Sequence, residues 1–286
     1  MSAQTPLSIR RPNRVLQALG YLVATLTSIL FLYPYWWMLV SAFRPTRAIM
    51  SDPLRPWPET LNFQIFSEIG RIGGVNLSTY ALNSLLITTA STVLGVVVTA
   101  LGAYALVRRP RAPGFSLVRY GFLLTIMYPY MLLVIPVYLV MFRLGLLGSY
   151  AGIILFLALG PLQFFLFEQF FRKIPPDVIE AALIDGASEW QILTRVVMPM
   201  AMPITATVAL ITFLLNWAQW FPIMVISRSP DTYTLPVALL SMNSELGSNF
   251  QGIMALAVLT TLPVAALFLL AQKRVMEGMA SGAVKG

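Results

Sequence analysis

The chain has 286 residues, of which 58% are hydrophobic and only 10% are charged. Because so few polar side chains cannot cover a soluble globule of this size, the composition predicts a protein that a lipid bilayer solvates. The absence of Cys and His excludes disulfides, thiol chemistry and the commonest transition-metal ligands, so we predict no metal site. The formal charge of +8 would suggest nucleic acid in a soluble protein, but here we assign it to loop orientation and expect no nucleic-acid partner.

Six apolar stretches are long enough to cross a bilayer, which takes about 20 helical residues. They predict an all-α polytopic membrane protein in which residues 19–274 form the membrane domain, preceded by a segment 1–18 and followed by a tail 275–286. The predicted spans are residues 19–40, 80–107, 120–142, 150–171, 204–226 and 253–271.

Several residues predict how these spans are shaped and connected. Pro129 and Pro136 should kink the third span, and Gly160 with Pro161 the fourth. Lys273 and Arg274 should end the sixth span.

The loops carry further expectations. Trp36 and Trp37 near the end of the first span predict an interfacial aromatic belt, and residues 43–79 an external, mostly irregular segment. Glu168 should extend from the fourth span to interfacial water.

The basic residues predict the orientation. With an internal amino terminus, 13 of the 19 Lys and Arg residues lie on the cytoplasmic side. These 13 are Arg10, Arg11, Arg14, Arg108, Arg109, Arg111, Arg119, Arg172, Lys173, Arg195, Lys273, Arg274 and Lys285. The positive-inside rule therefore predicts cytoplasmic amino and carboxyl termini.

Residues 175–199 form the longest polar run between two apolar blocks. Asp177 with Glu180, and Ser188 with Gln191, have the spacing of helix amino-terminal caps, and Gly186 between them suits a left-handed helix end. We therefore predict two short helices joined by a turn, the second of them closed by Pro199 and Pro203.

The first of these helices has an apolar face that includes Ile179, Leu183 and Ile184. Such a face suits a helix that docks into a groove of another protein. An amphipathic helix that lies on the membrane surface is the alternative.

The same run resembles the EAA loop of importer permeases in ATP-binding-cassette (ABC) systems, and we call residues 175–199 the EAA-like loop. The residues that carry the resemblance are Glu180, Ala181, Ala182, Gly186, Val196, Met198 and Pro199, with Val196 and Met198 standing where the family usually has Ile and Leu. The resemblance implies a type I ABC importer permease fold with a cytoplasmic coupling helix-turn-helix that fits a cleft in an ATPase subunit. The coupling residues it implies are Glu180, Ala181, Ala182, Asp185, Gly186 and Pro199.

Further motifs are similar to the shorter permease of the carbohydrate-uptake, maltose-type branch. They are Asn83-Ser84, Ile135-Pro136, Asp185 to Ser188 and the carboxyl-terminal string from Ser281 to Gly286. The similarity implies an inner-membrane subunit that pairs with a second permease, a dimeric ATPase and an extracytoplasmic solute-binding protein to import a di- or oligosaccharide. It also implies that the tail contacts the ATPase through Gly282, Ala283, Val284, Lys285 and Gly286.

The sequence has no GxxxxGK[ST] phosphate-binding loop, so we predict no catalytic residues and no cofactor on this chain, with ATP and Mg²⁺ bound by the partner ATPase. No Asp, Glu, Lys or Arg lies deep in any of the six predicted spans. Ion-coupled carriers usually need such a residue, so its absence from the spans argues against that class. An ion-coupled secondary transporter and a non-transporting membrane scaffold remain the alternatives.

Amides and indoles in the fifth span predict a tentative substrate path. Asn216 and Gln219 are three residues apart with Trp217 and Trp220 beside them, a combination that can bind sugar hydroxyls and stack on a sugar ring. Where the family commonly has Trp-Asn followed by an acidic residue, this chain reads Asn216-Trp217-Ala218-Gln219-Trp220. The amides could equally bond neighbouring helices, and Asn83 is assigned to the path with interhelical bonding as the favoured alternative.

Overall fold

A computed structural model describes residues 14–72, 74–245 and 249–283. Its first helix, α1 (Arg14–Ala42), is followed by the short helices α2 (Thr46–Ser51) and α3 (Gln64–Glu68). Strands β1 (Arg71–Ile72) and β2 (Val75–Asn76) then pair as an antiparallel hairpin. The external segment is therefore less irregular than predicted.

The middle of the chain contains five apolar helices. These are α4 (Leu77–Arg108), α5 (Phe115–Met127), α6 (Tyr130–Arg143), α7 (Tyr150–Ala158) and α8 (Pro161–Phe171). The third predicted span is thus two helices, because the chain leaves helical conformation at Tyr128 and restarts after Pro129, which lacks an N–H group for the helix ladder.

The EAA-like loop and the carboxyl-terminal part follow. Their elements are α9 (Pro176–Ile184), α10 (Glu189–Gln191), a π-helical turn (Ile192–Val197), α11 (Met198–Met200), α12 (Met202–Trp217), α13 (Phe221–Ile226), a 3₁₀ turn (Pro230–Thr232), α14 (Leu235–Glu245) and α15 (Phe250–Ala283).

Two predicted helix ends are wrong. The fifth predicted span is two helices, because the first ends at Trp217 and a second begins at Phe221. Pro222 has no N–H to continue the ladder of the first helix, whereas in the first turn of a new helix that group would have no partner. Helix α15 continues past Lys273 and Arg274 to Ala283. Lys and Arg are good helix formers, so they mark the edge of the apolar stretch without ending the helix.

Within the described residues, three helices are long and apolar enough to cross a membrane: α1, α4 and residues Phe250–Leu270 of α15. The pair α7 and α8 is bent by 45°, the pair Glu189–Met200 and α12 by 76°, and counting each pair as one span raises the number to five. A sixth span requires α5 and α6 to cross together, so the predicted six spans stay a prediction.

Helix α4 is the centre of the fold and packs against α7, α8 and α12, whereas α1 packs against α15. The close packing of α4 depends on Gly95, where a Cβ atom would lie 2.2 Å from the carbonyl oxygen of Ala158. Residues 14–36 of α1 are exposed along their whole length although most are apolar. Lipid or other proteins must therefore cover this helix.

The aromatic residues at the end of α1 hold the external segment. Trp36 Nε1 donates a hydrogen bond to the carbonyl oxygen of Pro56 at 2.9 Å, and Trp37 Nε1 donates to that of Pro53. The predicted belt thus also fastens residues 53–57 to the membrane domain.

Candidate functional site

The EAA-like loop starts with a proline pair. The amino-terminal cap of α9 is Pro175, no side chain caps it, and Asp177 lies inside the first turn. The prediction that Asp177 is the cap is therefore wrong. Pro176 starts the helix earlier because its fixed φ suits the first helical position and its missing N–H would have no partner there.

The turn after α9 forms around Gly186, whose φ of 78° is left-handed. The Gly186 N–H donates to the Leu183 carbonyl and the Ala187 N–H to the Ala182 carbonyl, both at 3.0 Å. These two bonds form a Schellman motif, in which glycine at the left-handed position avoids a steric penalty. The prediction of a left-handed helix end at Gly186 is confirmed.

A capping box starts the second short helix. The Gln191 N–H donates to Ser188 Oγ at 3.3 Å, and the Ser188 N–H donates to Gln191 Oε1 at 2.8 Å. Helical structure then continues through Pro199 to Met200 before the chain bends into α12. Pro199 therefore does not close the helix, because the wide π-helical turn before it accommodates a residue that lacks an N–H.

The two faces of the EAA-like loop have different surroundings. Ile179 is 7% exposed and shares one apolar core with Ile192 of the π-helical turn and with Tyr104 of α4 and Phe167 of α8. The prediction that Ile179 belongs to a docking face is wrong, because it packs on the chain's own membrane helices.

The opposite face is open. Leu183 is 47% exposed, Ile184 86% and Trp190 65%. Of the six implied coupling residues, Ala182 is half-buried against the shared core and the other five are exposed: Glu180, Ala181, Asp185, Gly186 and Pro199. One face of the loop is thus fixed to the membrane domain and the other is available to a partner.

Sequence reasoning missed a polar contact that fastens this loop. Arg108 Nη2 at the end of α4 donates to Glu189 Oε1 at 2.9 Å, and the Tyr104 hydroxyl donates to Glu189 Oε2 at 3.0 Å. The hydrogen bond from Arg108 lowers the pKa of Glu189 below its ordinary value. The partners are 81 and 85 residues from Glu189, so the only sequence signals were the charge of Arg108 and the acidic first turn after Ser188.

Glu168 on α8 does not extend to water. It is 2% exposed, and its Oε1 contacts Arg172 Nη2 at 2.7 Å and Arg119 Nε at 3.1 Å. The prediction is wrong because Arg119 on α5 provides a second cation that compensates the buried carboxylate within the protein.

Asn83 is 5% exposed and fully bonded to neighbouring elements. Its Nδ2 donates to the carbonyl oxygens of Asp231 at 2.7 Å and Tyr233 at 2.9 Å, and its Oδ1 accepts from the Tyr150 hydroxyl at 2.8 Å. These contacts favour the interhelical alternative over the path. Ser84 adds to them, since its Oγ accepts the N–H of Leu235 at 2.8 Å.

A cavity of about 210 Å³ lies between α12 and the break that separates α7 from α8. We call it the membrane cavity, and its polar lining consists of Tyr130, Gln163, Thr212, Asn216 and Gln219. Asn216 Nδ2 donates to Ser91 Oγ at 3.0 Å and to the Leu157 carbonyl at 3.3 Å. Asn216 therefore both bonds neighbouring helices and lines the cavity.

The two tryptophans are placed differently from the prediction. Because α12 ends at Trp217, the helical spacing that would align Gln219 and Trp220 with Asn216 does not extend to them. Trp217 is 5% exposed and donates through Nε1 to the Thr260 carbonyl at 3.1 Å, so it belongs to the core. Trp220 is 38% exposed, makes an edge contact with Phe221, and is not among the described residues that line the cavity.

The implied ATPase contacts of the tail are described only in part. Gly282 and Ala283 end α15. Val284, Lys285 and Gly286 lie outside the described residues.

Comparisons with known proteins give consistent matches. The family model described as "Binding-protein-dependent transport system inner membrane component" matches residues 95–280. A diacetylchitobiose uptake system permease protein of Streptomyces coelicolor is 30% identical over 94% of this chain and 89% of its own length. A trehalose transport system permease protein of Mycobacterium tuberculosis is 32% identical over 89% of this chain and 93% of its own. In a crystal structure of a bacterial ABC transporter that imports the acidic polysaccharide alginate, one chain matches with a TM-score of 0.75 at 24% identity, covering 94% of this chain and 99% of that one, which shows a shared fold.

Proposed function

The chain belongs to the inner-membrane components of binding-protein-dependent transport systems, the permease subunits of ABC importers, and from this premise we propose that it forms half of a membrane path for a di- or oligosaccharide. The relatives named above carry diacetylchitobiose and trehalose in their names and align with nearly the whole chain. A cavity lined by three amides and two hydroxyl groups supports the same substrate class, because sugars are recognised through their hydroxyl groups.

The two-sided packing of the EAA-like loop carries the coupling part of this proposal. Ile179 and Ile192 join the loop to the core of α4 and α8, while Leu183 and Ile184 are exposed. A partner ATPase that binds the exposed face would therefore push on the helices around the membrane cavity. ATP and Mg²⁺ are proposed to be bound by that dimeric ATPase and not by this chain.

The other partners are assigned to the remaining surfaces. Helix α5 has no buried residue, and exposed apolar side chains continue along α6, so the second permease is proposed to cover this side. The solute-binding protein is proposed to deliver its sugar at the external segments. In this arrangement both termini are cytoplasmic, and residues 115–143 cross the membrane as the third of six spans.

The end of α15 is proposed to contact the ATPase. Because α15 is helical to Ala283, it would carry Gly282 and the tail away from the membrane on a rigid element. Deleting residues 281–286 should change the ATPase rate of the assembled complex while the spans still insert. Normal assembly and ATPase activity of the truncated chain would contradict this contact.

Uptake by the reconstituted complex tests the proposed function. Proteoliposomes that contain both permeases and the ATPase should take up labelled trehalose or diacetylchitobiose only with the binding protein outside and ATP inside. A protonophore should leave uptake unchanged, and its abolition by the protonophore would favour the ion-coupled alternative. Fully assembled complexes that move no sugar under any condition would favour the scaffold alternative.

A further inference from the structure

We propose that one anionic phospholipid binds on the α5 side of the chain, with its phosphate on Arg119 and Arg172 and an acyl chain in an apolar groove between α5 and α6. This inference goes beyond the proposed function, because it assigns a lipid ligand and not a transported substrate.

A buried carboxylate holds the two arginines. Glu168 of α8 is 2% exposed, and its Oε1 accepts hydrogen bonds from Arg172 Nε at 3.0 Å and Nη2 at 2.7 Å. The same oxygen lies 3.1 Å from Nε of Arg119 on α5. Losing either arginine would leave the buried carboxylate less compensated, so both guanidinium groups are fixed beside each other. We call these three residues the arginine clamp.

The clamp is accessible and positively charged. The side chains of Arg119 and Arg172 are 44% and 48% exposed. Two guanidinium groups share one carboxylate, which leaves a net charge of +1, and the exposed Lys173 follows directly in the chain. Among the described residues, no other acceptor binds either guanidinium group. Their remaining N–H groups therefore suit a phosphate, and basic clusters beside a membrane attract anionic lipids.

An apolar groove of about 570 Å³ begins next to the clamp. Val118, Gly121 and Phe122 of α5 line its near end, and Arg119 lies between them in the chain. Its wall continues along α6 to Met141, and none of the described residues that line it carries a charge. Gly121 keeps it open, since a Cβ atom there would meet nothing within 4 Å. Water gains no partners in a recess this apolar, whereas an acyl chain does.

One face of α8 connects the groove to the clamp. Pro161, Phe164, Glu168 and Arg172 lie three or four residues apart, so they follow one another along this face. Pro161 lines the groove, and Phe164 stacks on Phe122 of α5 with ring centroids 4.5 Å apart. The stripe is about 16 Å long at 1.5 Å per residue. A ligand along it needs a charged end and an apolar end, which is the chemistry of a phospholipid.

The groove shares a wall with the membrane cavity. Tyr130, Phe156, Leu159 and Pro161 line both. An acyl chain in the groove therefore supports the wall that separates the cavity from the surrounding bilayer. Because the groove is a recess in the side assigned to the second permease, the lipid lies at the boundary between the two chains.

The test counts phospholipids on the complete transporter by native mass spectrometry, in micelles that contain equal amounts of phosphatidylglycerol and phosphatidylcholine. The wild-type complex should retain phosphatidylglycerol in preference. Arg119→Gln and Arg172→Gln should each lower its affinity about tenfold, as expected for the loss of one charge-assisted hydrogen bond. Arg111→Gln is the matched control, because it removes an exposed positive charge outside the clamp, and it should keep the wild-type affinity.

Gly121 tests the groove without changing a charge. Gly121→Leu places a side chain in the recess and should lower the affinity for phosphatidylglycerol about as much as the clamp variants. Gly121→Ala is its control, since the added Cβ atom meets nothing within 4 Å and leaves the groove open. Copurification of the second permease and the melting temperature show whether each variant is assembled, and lipids are counted per assembled complex.

Three results would overturn the lipid site. They are equal retention of both lipids by the wild-type complex, an equal loss in Arg111→Gln and the clamp variants, and a Gly121→Leu complex that loses the second permease but not the lipid. The last result would show that the second permease fills the groove. None of these measurements uses sugar uptake, so failure of the lipid site and failure of the proposed function are distinguishable.

Discussion

The EAA-like loop and the membrane cavity are built in opposite ways. The loop is shaped by residues close in sequence, such as Ser188 with Gln191 three residues later. The cavity is shaped by distant ones, since Asn216 bonds to Ser91 across 125 positions and to Leu157 across 59. Substitutions in the loop should therefore change one local turn and its contact with the partner ATPase. Substitutions around the cavity should instead change how the membrane helices pack. The predictions below test this difference.

The largest effect is expected at the helix contact beside the cavity. Gly95→Ala places a Cβ atom 2.2 Å from the Ala158 carbonyl oxygen, so α4 and α7 must separate. Overpacking of this kind costs about 1–3 kcal/mol, more than the 0.5–1 kcal/mol that Ala gains over Gly in a helix. We expect a lower melting temperature and less assembled complex.

Gly102→Ala is the control for Gly95→Ala, because its nearest neighbour would lie at an ordinary 3.7 Å. It should be neutral or stabilising. Equal melting temperatures of the two variants would contradict the packing of α4 against the break.

The next effect belongs to the loop. Gly186→Val puts a β-branched residue at a φ of 78°, at a cost of at least about 1–2 kcal/mol. The turn should open, so uptake should fall about tenfold while ATP hydrolysis by the partner continues. Gly186→Asn should retain most uptake because Asn tolerates this conformation. Wild-type coupling in Gly186→Val, measured as sugar moved per ATP hydrolysed, would contradict the role of the turn.

Asn83 and Gln219 should respond differently although both are amides of the predicted path. Asn83→Leu leaves two carbonyl oxygens and the Tyr150 hydroxyl without their present partner. It should lower the melting temperature but not the uptake per assembled complex. Gln219→Leu should do the reverse. If both substitutions changed the melting temperature and the uptake per assembled complex in the same way, the distinction between the bonded Asn83 and the cavity-lining Gln219 would be contradicted.

How well the sequence predicts each region depends on how far apart its bonded residues lie along the chain. The turn at Gly186 and the capping box could be predicted because their hydrogen bonds join residues that are close in the sequence. The cap predicted at Asp177 was wrong because the proline pair at 175 and 176 starts the helix earlier. The bonding partners of Asn83 could not be named from the sequence, since Asp231 is 148 residues away. Gln163 gave no signal because one amide among aromatic residues has no spacing to recognise, and the room for its side chain depends on Gly95 of another helix.

The smallest effect is expected for the contact between Arg108 and Glu189. Both side chains are partly exposed, so a double-mutant cycle with Arg108→Ala and Glu189→Ala should give about 0.2–1 kcal/mol of coupling. The pKa of Glu189 is lowered from 4.5, so the contribution is fully present above about pH 4.5 and is lost as the pH falls through the lowered pKa. No coupling energy at pH 7, or coupling that grows towards acid pH, would contradict the assignment.

The central claim is that the EAA-like loop transmits the state of the partner ATPase to the membrane cavity through their shared core. Since the chain has no Cys, Gln219→Cys introduces its only thiol, and the complex that keeps Gln219 corrects for thiols of the partner chains. The reaction rate of this thiol with a membrane-impermeant thiol reagent should change when the ATPase is trapped with ATP, and this change should disappear when Gly186→Val is added. An identical rate in both nucleotide states of the otherwise wild-type complex would contradict the claim.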